Sequence, residues 1–566
     1  MNQPAIWTTG STEAIRTGTW RSALPHYIAA PAPCHQACPV NGEIADWIGR
    51  ARARDWRGAW DVLTRHNPFP AIAGRVCHHP CESACNRAGY DAALAICKLE
   101  RTLGDIALER GWAFEPPRQE LRARVAIVGG GPSGLSAAYQ LRRRGLQVDL
   151  FERRSALGGL MRHGIPPYRL ARDVLDGEIA RIVAMGVQVH TDHAIASAED
   201  LARLRAQHDA VYLAPGAQRP RRLTQLPEQA PWLMDGARYL EQANAGRAPA
   251  LGRHVAVIGG GSAALDVARS ARRAGHAVTI IALEAEARMP AQHEELVEAR
   301  EEGITLVDSA MVAAVQLQAD GTVLLECQPV HLEPGPVRGQ FALSPLALPA
   351  FPVRVDAVVP AVGQEPDLDT WAAGVARSGA LLQTDAHQAT GTAGVWAGGD
   401  VSSMARFVTE AIGMGKHAAT DIARRLQPAP DAARPVAGTG AAADGAATDA
   451  HEAETAPSTV TLDRIATTYH PTASRAAEHR LAPAQRLAGG DEVQLPLSIT
   501  QALQEAERCF SCGHCTHCDN CLQYCPDLAI VRSDGGYAVL GDYCKGCGIC
   551  VAECPTGSMR MQEELR

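Results

Sequence analysis

Cysteines near the two ends of the chain are the residues best suited to chemistry. Of the 17 cysteines in 566 residues, six lie between Cys34 and Cys97, ten lie between Cys509 and Cys554, and Cys327 lies apart. The N-terminus lacks a basic region followed by an apolar run, so we expect a cytoplasmic protein without an export signal. Disulfides are rare in that compartment, and clustered cysteines there are expected to bind metal.

Two cysteine runs near the end of the chain share the spacing Cys-x2-Cys-x2-Cys-x3-Cys-Pro. This spacing is typical of bacterial ferredoxins, in which the fourth cysteine of each run binds the other cluster. Zinc sites use cysteine pairs, so the spacing favours two [4Fe–4S] clusters over zinc. The predicted ligands are Cys515, Cys518, Cys521 and Cys554 for one cluster, and Cys544, Cys547, Cys550 and Cys525 for the other.

Two further cysteines, Cys509 and Cys512, continue the three-residue spacing upstream of these runs. They lie outside the two four-cysteine runs, each of which ends in Cys-Pro. We interpret them as free thiols or as residues beside a cluster, with a slipped ligand set as the alternative.

The middle of the chain contains two segments, residues 124–152 and 254–284, with the pattern of strand, glycine turn, helix and second strand. In the first, glycines spaced G-x-G-x-x-G allow a tight turn and a close approach to a pyrophosphate, which the helix N-terminus then faces. An acid at the end of the second strand is placed to hold ribose hydroxyls. We therefore predict a dinucleotide site formed by Gly129, Gly131, Pro132, Ser133, Gly134 and Glu152.

The second segment carries a related loop, Gly259-x-Gly261-x-x-Ala264, so a second dinucleotide is expected. NADP enzymes place an arginine at the end of the second strand to bind the 2′-phosphate. Glu284 would instead repel that phosphate and accept from two hydroxyls, which favours NAD(H). Ala264 at the third loop position points to NADP(H), and Glu284 is also compatible with a solvated acid at a helix start. NAD(H) is the preferred prediction, with NADP(H) as the alternative.

Composition excludes several other classes of protein. The net charge of −8, without a long basic run, argues against nucleic-acid binding. No stretch of about 18 apolar residues is present, so no membrane insertion is expected. The chain is too long for one core, and several domains are expected. Residues 428–458, rich in Ala, Gly, Pro, Thr and Asp, are predicted to be a disordered linker.

The segments GVWAGGD and RRSALGGLMRHGIP resemble motifs of flavoproteins with two dinucleotide domains. That resemblance implies FAD on the first loop and a nicotinamide nucleotide on an inserted second domain. It also implies that Gly158 and Gly159 lie near the flavin, and that Gly399 and Asp400 contact its ribityl or phosphate part.

Further motifs extend along nearly the whole chain: APCHQACPVNGEIADWI, NPFPAIAGRVCHHPCESACNR, ICKLERTLGD, RMPAQHEE, AVGQEPD, AGGDV, TEAIGMGKHAA and EAERCFSCGHC. Together with the two glycine loops they resemble the glutamate synthase small-subunit family, whose N-terminal part is shared with dihydropyrimidine dehydrogenase.

The resemblance further implies a [4Fe–4S] cluster near the N-terminus, held by three cysteines and a Gln or Glu. A second family cluster uses a Cys-x2-Cys pair upstream of Cys34, where this sequence has no cysteine, plus two further cysteines. Only Cys34 and Cys85 remain of that second set. We therefore expect one N-terminal cluster and three clusters in the chain, with Cys34, Cys85 or Cys97 as possible substitutes for the acid. The positions that match the family's ligands are Cys38, Cys77, Cys81 and Glu100.

The expected fold class is α/β, with a helical N-terminal iron–sulfur domain, two Rossmann-like domains and a bacterial ferredoxin-like domain at the C-terminus. The nicotinamide domain is inserted in the FAD domain. The predicted ranges are 1–118 for the helical domain, 119–250 and 364–427 for the FAD domain, 251–363 for the NAD(P) domain, 428–458 for the linker, 459–508 for a connecting segment and 509–566 for the ferredoxin-like domain.

The expected function is that of an NAD(P)H:acceptor oxidoreductase. Hydride would pass between the nicotinamide C4 and the flavin N5, and single electrons between the flavin and the clusters, in either direction. No catalytic acid or base is assigned. No cysteine lies between Lys98 and Glu326, which excludes a dithiol relay beside the flavin.

The expected partner is a redox protein or a large catalytic subunit, with ferredoxin as another candidate and an oligomer as the expected assembly. A 2-oxoacid:acceptor oxidoreductase or a sulfite-reductase-type system would suit this role. One alternative is a glutamate synthase small subunit, which the ferredoxin-like tail disfavours. The other is a non-catalytic redox sensor or scaffold, which two complete dinucleotide loops disfavour.

Overall fold

The computed structural model describes residues 16–28, 30–336, 340–404, 406–426, 459–533 and 536–564. The predicted linker, residues 428–458, lies outside the described residues. Parallel sheets with helices form the middle of the chain, short helices dominate the N-terminal region, and small antiparallel pairs form the tail. The predicted α/β fold class is thereby confirmed.

Short helices separate the loops that carry the N-terminal cysteines. Pro33, Pro70 and Pro80 stand in the first turn of their helices, where a missing N–H breaks no helical hydrogen bond. Trp47 and Trp60 are buried in the core between them. The elements are β1 (Ala23–Tyr27), α1 (Pro33–Ala37), α2 (Ile44–Arg52), α3 (Trp56–Thr64), α4 (Pro70–Val76), α5 (Pro80–Ser83) and α6 (Ile96–Glu109).

The first dinucleotide segment folds as predicted from its pattern. Val125, Ala126 and Ile127 are all fully buried in one strand, as expected for a strand covered on both faces of a parallel sheet. The elements are β2 (Arg124–Val128), α7 (Pro132–Arg143), β3 (Gln147–Phe151), α8 (Leu160–His163), α9 (Arg172–Val183), β4 (Gln188–His190), α10 (Ala198–Gln207), β5 (Ala210–Leu213), β6 (Arg219–Pro220) and α11 (Gly236–Asn244).

The second segment starts a separate parallel sheet, which an antiparallel meander covers. Its elements are β7 (His254–Ile258), α12 (Ser262–Arg273), β8 (Ala277–Ile281), α13 (His293–Glu301), β9 (Thr305–Val307), β10 (Ala310–Leu317), β11 (Val323–Pro334), β12 (Phe341–Pro345), β13 (Phe351–Val355) and β14 (Ala357–Pro360). The parallel strands lie in the order β14-β7-β8-β9.

The chain then returns to the first sheet. The returning elements are β15 (Gln364–Glu365), β16 (Arg377–Ser378), β17 (Leu381–Leu382), β18 (Val395–Ala397) and α14 (Val408–Leu426). Strand β18 pairs with β5, which completes a parallel sheet of order β18-β5-β2-β3-β4. The second sheet is therefore an insertion between two parts of the first, as the resemblance implied.

The tail packs against the N-terminal region. Strand β1 pairs antiparallel with the last strand, with Ala23 opposite Glu563, although the sequence placed residues 23–27 in the helical domain. Leu497 and Ala502 join the core around Trp47. The tail elements are α15 (Pro483–Ala488), α16 (Ile499–Glu507), α17 (Asn520–Gln523), β19 (Ile530–Ser533), β20 (Gly536–Val539), α18 (Ile549–Ala552) and β21 (Met559–Glu563).

Among the described residues, no helix combines the length and the apolar character needed to cross a membrane.

Candidate functional site

The first glycine loop presents a bare helix N-terminus. Helix α7 begins after Gly131 without a side-chain cap, so N–H groups of its first turn are available to an anion. Gly129 has φ +105°, and a Cβ on Gly134 would stand 1.9 Å from the Gly129 carbonyl oxygen. Glycine is therefore required at both positions, and the cradle fits a pyrophosphate.

Glu152 follows β3 directly and lies against this loop. Its side chain is buried, with 7% of the residue exposed. Glu152 Oε2 accepts from Gly130 N at 2.8 Å, and Oε1 accepts from Arg154 N at 2.9 Å. The carboxylate is thus held in place beside the loop, where it can also accept from ribose hydroxyls.

The two other predicted flavin motifs converge on the start of α7. A Cβ on Gly159 would lie 2.9 Å from Gly131 Cα. A Cβ on Gly399 would lie 3.1 Å from Ser133 Cβ. Backbone from three distant parts of the chain therefore approaches the same helix start.

Two predicted flavin contacts border this region. Gly158, with φ +121°, donates its N–H to Gly130 O at 2.8 Å. Burial raises the pKa of the Asp400 carboxyl, although the Arg406 guanidinium lowers it. The motif containing Gly158 is thus tied to the glycine loop, and Asp400 offers a largely buried acceptor.

The second loop repeats this geometry with one change. Gly259 has φ +135°, and its Cβ would lie 2.7 Å from Ala361 O. Helix α12 begins after Gly261 without a side-chain cap, and Ala264 is fully buried in its first turn. This loop also fits an anion.

Glu284 lies beside the second loop, but not at the end of its strand. Strand β8 ends at Ile281, three residues earlier. A Cβ on Gly260 would lie 2.6 Å from Glu284 Oε2. The carboxylate therefore borders the second loop.

The predicted N-terminal ligands lie close enough to interact electrostatically. Burial raises the pKa of the Cys77 thiol to about 12, and the charges of Glu100 and Cys38 add to that increase. Burial also raises the pKa of Cys81, again with contributions from Cys77 and Cys38. Burial raises the pKa of Glu100 to about 7, although a hydrogen bond of 2.7 Å that Asn67 Nδ2 donates to its carboxylate lowers this pKa. The structure brings these four residues together.

Cys97 is a weaker candidate to replace Glu100 as a ligand. Its thiol is buried and donates to Ala73 O at 3.6 Å. Cys77 Sγ also donates, to Thr409 Oγ1 at 3.5 Å, but it accepts from His79 N at 3.2 Å as well, and among the described residues no N–H group donates to Cys97 Sγ. A sulfur that accepts from an N–H group suits a metal-bound thiolate better than one that does not.

Helix α14 connects the first loop to these cysteines. Its first turn places Thr409 Oγ1 within 3.5 Å of Cys77 Sγ. A Cβ on Gly413 would lie 2.3 Å from Pro39 O, and one on Gly415 would lie 2.3 Å from Ser133 O. One helix therefore touches both the predicted flavin loop and the N-terminal cysteine loops.

The tail cysteines group in the crossed pattern that the spacing predicts. Burial, followed by the charges of Cys518, Cys554 and Cys515, raises the pKa of Cys521 to about 11. The fourth cysteine of the second run thus lies beside the first run.

The second tail group has the reciprocal arrangement. Burial raises the pKa of Cys550 to about 12, followed by the charges of Cys544, Cys525 and Cys547. Cys525, the fourth cysteine of the first run, accepts from Ala529 N at 3.3 Å. The donor set of each group fits a [4Fe–4S] cluster.

The structure also brings together four cysteines that the sequence analysis did not group. Cys34, Cys85, Cys509 and Cys512 line one cavity between the N-terminal helices and the tail. Burial raises the pKa of Cys34 well above its ordinary value, and charges on the other three raise it further. In the sequence, Cys34 and Cys85 stand out as the remaining residues of the family's second cluster set, and Cys509 and Cys512 as an unassigned Cys-x2-Cys pair.

Comparison with protein families agrees with this arrangement. Residues 123–415 match the pyridine nucleotide-disulphide oxidoreductase model. Residues 27–112 match the 4Fe-4S cluster domain II of dihydropyrimidine dehydrogenase, and residues 514–559 match a 4Fe-4S dicluster domain. The predicted resemblance is confirmed by these matches and by the relatives below.

Three curated relatives illustrate the range of the similarity. The NADP(+)-dependent formate dehydrogenase subunit beta of Moorella thermoacetica is 34% identical over 70% of this chain and 60% of its own length. The NAD-dependent dihydropyrimidine dehydrogenase subunit PreT of Salmonella typhimurium is 31% identical over 70% of this chain and 92% of its own. The glutamate synthase [NADPH] small chain of Azospirillum brasilense is 30% identical over 69% and 85%. The chain therefore spans less than two thirds of the Moorella protein.

Proposed function

The chain belongs to the pyridine nucleotide-disulphide oxidoreductase family, and from this premise we propose that it is an electron-transfer subunit. It would bind FAD and NAD(P)H and exchange electrons with a partner protein through iron–sulfur clusters. When bound, FAD supplies the conversion between the electron pair of a nicotinamide and the single electrons of the clusters. The residues of this chain bind, orient and separate these groups.

Helix α14 is the observation that carries the proposal. It follows the Gly399-Asp400 motif, packs on the first glycine loop at Ser133, and contacts the cysteine loops at Pro39 and Cys77. A flavin on the first loop and a cluster on these cysteines would therefore share one supporting helix. Such proximity is what one-electron exchange between them requires.

The proposed binding residues fall into three sets. FAD would be held by Gly129, Gly131, Pro132, Ser133, Gly134, Glu152, Gly158, Gly159, Gly399 and Asp400. The nicotinamide nucleotide would be held by Gly259, Gly261, Ala264 and Glu284. Cluster ligands would be Cys38, Cys77, Cys81 and Glu100 in the N-terminal region, and Cys515, Cys518, Cys521, Cys525, Cys544, Cys547, Cys550 and Cys554 in the tail.

NAD(H) is the proposed nucleotide. Glu284 borders the second loop through its contact with Gly260, so an added 2′-phosphate would meet a carboxylate. The named relatives include both NAD-dependent and NADP-dependent proteins, and Glu284 is therefore the basis of the choice.

The proposed partner is a separate catalytic subunit of a redox enzyme. The relatives are named as subunits of formate and dihydropyrimidine dehydrogenases and as a small chain of glutamate synthase. Cys518 and Cys547 are exposed in the tail. Tyr524 and Leu528 nearby expose 51% and 77% of their surface, which would suit a docking surface. A 2-oxoacid:acceptor oxidoreductase or a sulfite-reductase-type enzyme remains the proposed kind of partner.

Anaerobic mixing with NADH tests the proposal. Flavin absorbance should fall on NADH addition and fall more slowly with NADPH, followed by loss of cluster absorbance. The control is Gly259→Val, whose added Cβ would meet Ala361 O at 2.7 Å in the second loop. That variant should keep its FAD, fail to react with NADH, and still be reduced by dithionite. A wild-type protein that holds FAD but reacts with neither nucleotide would refute the proposal.

A further inference from the structure

We propose that Cys34, Cys85, Cys509 and Cys512 hold a fourth [4Fe–4S] cluster, at a composite site built from both ends of the chain. The inference deepens the proposed function, since it adds a one-electron carrier to the same set of sites. It replaces the interpretation of Cys509 and Cys512 as free thiols.

The cavity at the composite site suits a cluster. All four cysteines line it, together with apolar side chains such as Ile44, Ile48 and Leu94. Four thiols around an apolar cavity provide one ligand for each iron of a cubane and exclude water from its faces.

One ion pair and two hydrogen bonds with backbone groups fix the segment that delivers Cys509. Arg508 Nη2 donates to Asp91 Oδ1 at 3.0 Å, and Arg87 Nη1 donates to Arg508 O at 2.8 Å. One turn earlier in α16, Glu505 Oε1 accepts from Ala95 N at 2.7 Å. The position of Cys509 beside the N-terminal helices is therefore determined by hydrogen bonds and packing rather than by a loose chain end.

Hydrogen bonds at the sulfurs point to ligand thiolates. Asn86 Nδ2 donates to Cys512 Sγ at 3.4 Å, and Ser511 N donates to Cys509 Sγ at 3.4 Å. The same kind of bond occurs in the tail, where His517 N donates to Cys515 Sγ at 3.4 Å. Hydrogen-bond donors of this kind stabilise the sulfurs of a cluster and adjust the reduction potential of the cluster.

A polynuclear group fits the composite site better than a single ion. Among the described residues, no three Cys, His, Asp or Glu side chains converge closely enough to hold one metal ion. Each cysteine of a cubane binds a different iron, so its thiols stand further apart than those of a mononuclear zinc site.

The composite site is adjacent along the chain to both of the other groups of cysteines. Cys34 and Cys38 are four residues apart, and Cys512 and Cys515 are three apart. An extended chain spans at most about 3.5 Å per residue, so the Cα separations cannot exceed about 14 Å and about 11 Å. A cluster at the composite site would take one electron from a reduced cluster in one of these groups and give one electron to an oxidised cluster in the other.

Iron and sulfide analysis of the anaerobically purified full chain tests the inference. The wild-type protein should contain about sixteen iron atoms, and the double variant Cys509→Ser/Cys512→Ser about twelve, with unchanged FAD. Cys327→Ala is the control, since this buried cysteine lies in the inserted domain, and it should keep about sixteen. About twelve irons in the wild type, or one zinc per chain lost with the double variant, would overturn the proposal.

A second variant keeps the test valid if the double variant does not fold. Asn86→Leu removes the side-chain donor to Cys512 Sγ but no ligand. It should keep about sixteen irons and move the midpoint potential of one cluster to a more negative value in an EPR-monitored titration. Unchanged potentials for every cluster would contradict the assignment. Rapid flavin reduction by NADH, measured on the same samples, reports on the proposed function separately.

Discussion

The two glycine loops share a sequence pattern, but the acid that accompanies each one lies in a different environment. Glu152 is 7% exposed and accepts backbone N–H groups from Gly130 and Arg154. Glu284 is partly exposed, and no hydrogen bond within the described part of the chain ends on its carboxylate. The first acid is part of the folded loop, whereas the second is free to respond to a ligand.

This difference matches two kinds of occupant. A buried acid that is already hydrogen-bonded gives a rigid, preorganised cradle, which suits a cofactor that stays bound. A carboxylate at an accessible edge suits a nucleotide that must enter and leave in every turnover. The comparison leads to four predictions on matched positions of the two loops.

The largest effect is expected from Gly134→Ala. The new Cβ would stand 1.9 Å from the Gly129 carbonyl oxygen, so the backbone of the first loop must move. Bound FAD, measured after heat release from the purified protein, should fall at least about tenfold, which corresponds to about 1.4 kcal/mol of binding. Circular dichroism checks that the fold persists. Full FAD occupancy would show that the first loop is no more constrained than the second, which carries Ala264 at this position.

Glu152→Ala should weaken FAD binding by about 10- to 100-fold. The substitution leaves the N–H groups of Gly130 and Arg154 without their acceptor, at about 1–3 kcal/mol for a buried group. Reconstitution of the apoprotein with FAD, followed by fluorescence, measures the affinity. Glu152→Gln retains one acceptor oxygen and should lose less. Equal affinity in all three proteins would mean that the acid supports neither the loop nor the cofactor.

Local patterns made the glycine loops and the ferredoxin runs predictable from the sequence. Within each loop and each run the key residues lie within a few positions of one another, so the chain itself limits their separation. The exact end of β8 was less predictable, because it depends on pairing with β9, where Ile281 lies opposite Val307. Glu284 consequently lies three residues beyond the strand, although it still reaches the loop.

The composite cysteine site could not be derived from local spacing. Cys85 and Cys509 are separated by more than 400 residues and by a linker outside the described residues. Their proximity depends on the packing of α16 against the N-terminal helices and on the ion pair between Arg508 and Asp91. Such long-range contacts leave no periodic signal in one sequence.

Glu284→Arg should reverse the nucleotide preference. The substitution replaces repulsion of the NADPH 2′-phosphate by attraction. A change of a few kcal/mol in this interaction at a surface site corresponds to about a 10- to 100-fold change in the ratio of kcat/KM for NADPH to kcat/KM for NADH. Dye-coupled assays with both nucleotides measure this ratio. Glu326→Arg, an exposed change of equal charge on β11, is the control and should leave the ratio unchanged. A wild-type enzyme that already prefers NADPH would contradict the role assigned to Glu284.

The smallest effect is expected from Ala264→Gly, the reverse of the first substitution. Ala264 is fully buried in the first turn of α12, so its removal costs no more than about 1 kcal/mol of helix stability and opens only a methyl-sized space. The KM for NADH should change by less than about threefold, since 1.4 kcal/mol would be needed for tenfold. FAD content should not change. The contrary result is that Ala264→Gly impairs NADH binding as strongly as Gly134→Ala impairs FAD binding. That result would show that both loops are equally sensitive to the residue at this position, and it would contradict the proposed contrast between a tightly bound and an exchangeable nucleotide.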